Sequence, residues 1–140
     1  MENAWNYATD RGIETSDGYK YVGNISTTCY ESAQLGCVKV KHQHPFSNLT
    51  ADDIMGLLDN WGPLAAVVDT STPIFQYYRI GIITTPNCNS LDSGVELQPV
   101  MIVGYDNTGP IPYFKVQNWW GTSWGDKGYV YIGMTTSDTK

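Results

Sequence analysis

The sequence predicts a mixed α+β fold with a barrel-like sheet. Three observations lead there. A capped amphipathic helix begins after Thr50, four strand-length apolar segments follow it, and turn-forming residues separate the last three of these.

Each element has its own justification. Ala4, Trp5 and Ala8 recur at helical spacing between Met1 and about Asp10, and Gly12 ends that helix as a C-terminal glycine does. Residues 13–34 are rich in Gly, Ser, Thr and Tyr and read as loop. Val38-Lys39-Val40-Lys41 alternates apolar and basic side chains, the pattern of a half-buried strand. Thr50 is a good N-cap, and Asp52 and Asp53 suit the positive end of the helix behind it. Ile54, Leu57, Leu58 and Trp61 then fall on one helical face before Gly62-Pro63 closes the element. The strands are Leu64 to Val68, Val100 to Tyr105, Tyr113 to Asn118, and Tyr129 to Ile132. Turns over 106–110 and 125–128 separate the last three. There is no internal repeat and no low-complexity stretch.

Composition narrows the function classes. At 140 residues the chain has the length of one domain, and 41% hydrophobic residues with five Trp and ten Tyr fit a globular protein. Eight Lys and Arg against 14 Asp and Glu give a net charge of -6, which argues against nucleic acid or an anionic membrane as partner. No apolar run approaches the roughly 20 residues that span a bilayer. No signal peptide is visible at the start.

The most specific feature is Asn118-Trp119-Trp120-Gly121-Thr122-Ser123-Trp124-Gly125, preceded by Gln98-Pro99-Val100-Met101-Ile102-Val103-Gly104-Tyr105 and Tyr113-Phe114-Lys115-Val116-Gln117. With Gly12-Ile13-Glu14-Thr15, Gly62-Pro63-Leu64-Ala65-Ala66-Val67-Val68-Asp69 and Phe75-Gln76-Tyr77-Tyr78-Arg79-Ile80-Gly81-Ile82, these blocks occur in the order they take in papain-family cysteine proteases. The chain resembles the C-terminal half of that family, cathepsin L-like in type. The resemblance implies the β-rich (right) lobe over residues 39–140 and a remnant of the helical (left) lobe over residues 1–38. It also implies that the nucleophile segment, Gly-Ser-Cys-Trp in the family, lies upstream of everything present here.

The resemblance places Gln98 where the family carries its catalytic histidine, Asn118 where an asparagine orients that histidine, and Trp120 where a tryptophan shields the pair from water. A cysteine protease needs a thiolate, and an unperturbed thiol has a pKa of about 8.5. The histidine lowers it and later protonates the leaving amine. A glutamine amide only hydrogen-bonds. Removing one member of a hydrolytic triad costs on the order of 10⁴–10⁶ in turnover. Pro99 is a second departure, since it lacks a donor inside a strand; the strand must bulge there or leave an edge unpaired. Hydrolysis by this chain alone is therefore not expected. Asn118 either bonds to Gln98 as a relic or is tied to backbone at a strand end. Trp119, Trp120 and Trp124 either form an exposed platform for carbohydrate or an apolar ligand, or belong to core and cleft wall.

The remaining candidates are weaker. Asn24-Ile25-Ser26 and Asn48-Leu49-Thr50 are N-glycosylation sequons, which together with the resemblance point to a secreted or lysosomal/vacuolar protein. Cys29 and Cys88 match family cysteines whose usual partners lie outside this chain. A local Cys29–Cys37 bridge and three reduced cysteines are the alternatives. His42 and His44 are two apart, but tetrahedral zinc needs three or four ligands, so no metal and no cofactor is expected.

These readings lead to a non-catalytic papain-like pseudoprotease acting by binding or self-association. Its expected partner is a second copy or another chain that covers the exposed lobe interface. The alternative is one subunit of a split cysteine peptidase whose nucleophile-bearing half comes from a second chain.

Overall fold

The computed structural model describes residues 2–23, 38–41, 44–84 and 95–134. It comprises two compact units, Met1–Phe46 and Ser47–Lys140.

Among the described residues the first unit holds one helix, α1 (Glu2–Asp10). Ala8 is its buried residue, and Arg11 N–H still reaches Tyr7 O at 2.8 Å. Gly12, at φ +85°, then turns the chain out of the helix, a conformation glycine adopts without a Cβ penalty. The expected strand over Val38–Lys41 does not form. Val38 makes an isolated antiparallel bridge to Ile13, and Val40 N–H goes instead to Ala8 O at 3.3 Å. That carbonyl lies in the last turn of α1, where carbonyls lack intrahelical donors, so the helix end takes the N–H a ladder would need.

The second unit begins with α2 (Ala51–Trp61), which starts where the sequence places it. Thr50 Oγ1 accepts from Asp53 N–H at 3.2 Å, and the Asp53 carboxylate accepts from Thr50 N–H at 2.9 Å, a reciprocal capping box. The Thr50 hydroxyl also donates to Asp53 Oδ2 at 2.7 Å. These bonds hold the Asp53 carboxyl below its usual range, the Thr50 side chain contributing most. Gly62 closes the helix with φ +87°. Trp61, expected on the apolar face, is 72% exposed. It sits in the last turn of the helix, two residues after Asp59, whose carboxylate accepts from the Tyr105 hydroxyl at 3.0–3.1 Å.

Among the described residues five strands form one sheet in the order β1-β3-β4-β5-β2: β1 (Leu64–Asp69), β2 (Ile82–Ile83), β3 (Leu97–Asp106), β4 (Tyr113–Gln117) and β5 (Tyr129–Gly133). Neighbours run antiparallel except β2 and β5, which are parallel. The short helix α3 (Pro73–Gln76) and β2 lie in a stretch to which the pattern of apolar residues assigned no element. Proline at the start of α3 needs no hydrogen-bond partner there and has a helical φ already set.

Alternation along the strands sends Val100, Val116 and Val130 to one face, where they meet Phe75, Tyr78 and Ile83 as the core. Val130 is wholly buried.

Pro99 sits inside β3 without breaking it. Thr70 N–H donates to Glu96 O at 2.9 Å, and the register pairs Val68 with Gln98 and Val67 with Pro99. Hydrogen-bonded and open pairs alternate in an antiparallel ladder, so Pro99 falls on an open pair with β1. Its ring nitrogen faces the β4 side, past Gln117 where β4 ends. Of the two expected outcomes, the unpaired edge is the one realised, and no ladder bond is lost. The irregularity in β3 lies further on, between Ile102 and Gly104.

Candidate functional site

The site is built where the N-terminal end of β3 meets the loop after β4. Gln98 is fixed by its backbone pairing with Val68 and points to the core side, two residues before buried Val100. Its side-chain amide is engaged at both ends. Oε1 accepts from Trp120 Nε1–H at 3.0 Å, and Nε2 donates to Glu96 Oε1 at 2.9 Å. Glu96 is itself positioned by Thr70, fully buried, whose hydroxyl donates to Glu96 O at 3.1 Å.

The loop presents Trp120 through a tight reversal. Asn118 N–H donates to Gly128 O at 2.9 Å, and Gly128 N–H returns to Trp124 O at 2.8 Å. Gly125 makes this possible: its φ is +59°, and a Cβ there would stand 2.4 Å from Tyr129 O. No other residue fits.

Aromatic packing then locks the wall. Trp120 meets Phe75 edge-on with centroids 5.6 Å apart, and Trp124 lies 5.2 Å from Trp120 and 5.1 Å from Phe75. Trp124 Nε1–H donates to Gln76 O at 3.0 Å, tying the loop to α3. Such edge-to-face pairs contribute about 0.5–1.5 kcal/mol each beyond area burial. Tyr78 joins Trp124 at 5.8 Å, and burial pushes its phenol above the ordinary range. The three indoles thus do not form one exposed platform. Trp120 and Trp124 are half-buried members of the wall, while Trp119 is 62% exposed.

Asn118 is only 7% exposed. Its Oδ1 accepts from Trp119 N–H at 2.8 Å, and its Nδ2 is buried with no hydrogen-bond partner among the described residues. Of the two expectations, backbone attachment is what occurs, and Gln98 bonds to Trp120 and Glu96 instead. Glu96 is the member that sequence reading missed. The signal available was its spacing, two residues before Gln98 and hence on the same side of an extended chain.

Other candidates stand apart. Asn48 is exposed, with φ +55°. His44 is exposed, its ring 6.5 Å from that of Phe46. Asn24, Cys29, Cys37, His42 and Cys88 lie outside the described residues. Among the described residues, no group of three His, Cys, Asp or Glu side chains could hold a metal ion, and no helix is long and apolar enough to cross a membrane.

A family model described as papain family cysteine protease matches residues 1–139. The chain belongs to the papain family. It is 33% identical over 130 residues to a cathepsin L-like proteinase of Fasciola hepatica, covering 93% of this chain and 38% of that protein. It is 34% identical over 140 residues to cysteine proteinase 1 of Dictyostelium discoideum, with 93% and 38% covered. Against cathepsin L of Sarcophaga peregrina it is 32% identical over 146 residues, with 99% and 40% covered. The chain thus spans about two fifths of the length of these papain-family relatives. The mixed sheet with a few helices agrees with the α+β fold expected of a papain-like protein.

Proposed function

We propose that this papain-family chain is non-catalytic at the histidine position and works by binding. The observation that carries the reading is the double engagement of Gln98: both ends of its amide are hydrogen-bonded within the chain. A base must hold a lone pair free to take a proton, and an amide has none that is basic near neutrality. Trp120 and Glu96 occupy the two polar ends that a reacting group would need, so the position serves to tie β3 to the Trp120 loop. Asn118 supports the same reading, since its carbonyl is given to Trp119 N–H.

Apolar residues around this end of the sheet supply the means of binding. Leu97 is 64% exposed, and Val67 and Trp119 are exposed as well. A second copy or another protein chain would cover them, which gives the protein a partner-dependent role. Location follows the family resemblance: a secreted or lysosomal route.

The test is peptide hydrolysis by the protein purified from its own source, assayed with and without a thiol-reactive inhibitor. The expected result is no inhibitor-sensitive turnover. Turnover that the inhibitor abolishes would return the chain to the peptidases and show that a base reaches the site from elsewhere.

A further inference from the structure

We infer that Asn48 is an acceptor for an N-linked oligosaccharide, and that Thr50 serves in succession as the residue that marks the acceptor and as the N-cap of α2. The inference rests on the secretory route proposed above.

Three observations support it. Asn48 is exposed and stands in a left-handed turn at φ +55°, two residues before the N-cap of α2. Among the described residues nothing hydrogen-bonds to its amide. Two other exposed asparagine amides are engaged: Asn60 Nδ2 donates to Gly56 O at 2.7 Å, and Asn107 Nδ2 lies 3.7 Å from Met55 Sδ. Finally, Asn48-Leu49-Thr50 is a complete sequon, with a hydroxyl at its third position.

That hydroxyl is committed in the folded protein. It donates to Asp53 Oδ2 at 2.7 Å and accepts from Asp53 N–H at 3.2 Å. Recognition of the sequon therefore needs the capping box open, as it is before α2 forms. In the step, Asn48 Nδ2 bonds to the anomeric carbon of a lipid-diphosphate-linked oligosaccharide. The bond from that carbon to the diphosphate oxygen breaks, the lipid diphosphate leaves, and Nδ2 gives one proton to a base of the transferase. No electrons are exchanged with an outside reagent.

A purely structural account also exists for both residues. Asparagine tolerates φ > 0, and threonine caps helices. The test must therefore keep turn and cap while removing the acceptor. The chain is directed into the secretory pathway of eukaryotic cells by a supplied leader, and Asn48 occupancy is read by glycopeptide mass spectrometry before and after amidase release. Wild type and Thr50→Ser are expected to carry glycan at Asn48. Asn48→Asp and Thr50→Asn are expected to carry none there, while Thr50→Asn retains an N-cap and melts at the wild-type temperature. Secreted, folded wild type with Asn48 unmodified overturns the inference, as does modification of Thr50→Asn at Asn48. Because the leader is supplied, a native protein found outside the secretory route would contradict the proposed location without touching this result.

Discussion

The indole N–H of Trp120 donates to the side-chain oxygen of Gln98 at 3.0 Å, joining the first turn of the post-β4 loop to the start of β3 across 22 positions of sequence. Glu96 closes the other end of the same amide. Replacing Gln98 by Glu would keep the acceptor for Trp120 and set a second carboxylate against Glu96. Two carboxylates in hydrogen-bond contact cannot both ionise freely, so one titrates high. A folded-state pKa that is raised contributes stability below the unfolded value and loses it as pH rises. Gln98→Glu should match wild type near pH 4 and be less stable by about 1 kcal/mol at pH 7. Urea unfolding at the two pH values measures this, and Glu96→Gln in the same chain should remove the difference.

Gly125 marks the strictest backbone requirement of the site. An added methyl group would meet Tyr129 O at 2.4 Å, and the φ of +59° disfavours any side chain. Gly125→Ala should destabilise the fold by more than about 2 kcal/mol. It should also shift the near-ultraviolet circular dichroism of the Trp120–Trp124–Phe75 stack. An unchanged melting temperature would show that the reversal relaxes more easily than its geometry implies.

For α2, Thr50→Ala removes the cap and should cost about 1 kcal/mol. The Asp53 carboxyl is held low mainly by the Thr50 side chain and backbone. A depressed folded pKa contributes stability above the unfolded value of about 4, and that contribution disappears as pH falls through the folded pKa. Thr50→Ala should therefore lose less stability than wild type between neutrality and acid pH. Parallel thermal melts from pH 6 downward test this.

At the alkaline end, Tyr131 donates its hydroxyl to Asp126 Oδ2 at 2.8 Å, and this bond, with burial, pushes the phenol up to about 12. The raised value means stability is fully present below the unfolded pKa of about 10 and is lost as pH climbs from there toward 12. Tyr131→Phe should flatten that loss. Its alkaline titration, followed by tyrosinate absorbance, should lack the phenol that ionises at about 12.

Much of this arrangement was legible in the sequence because it depends on local rules. Thr50 with Asp53 fixes where α2 begins and Gly12 where α1 ends, and the apolar segments Tyr113 to Asn118 and Tyr129 to Ile132 fall within one residue of β4 and β5. The equivalence of Gln98 and Trp120 to family positions followed from motif spacing. What escaped notice depends on tertiary company. Val38–Lys41 alternates like a strand, yet Ala8 O claims its N–H first. The stretch containing α3 and β2 carries no periodic signal, because α3 is four residues long and β2 two. Glu96 is bound to Thr70 and Gln98 only through the fold, and no motif marks it. Nor does sequence order say that Trp119 faces out while Trp120 turns in.

Pro99 acts on its neighbour more than on its own strand. Were β4 to continue past Gln117, Trp119 would come opposite Pro99 and find no amide proton to accept. The adjoining strand is thereby terminated by a residue it never touches in the ladder. Released at Asn118, the chain can curl back to Gly128 and carry the indole of Trp120 round to Gln98. The same missing proton deprives an approaching foreign strand of a foothold, so the open end of the sheet resists accretion as well as extension.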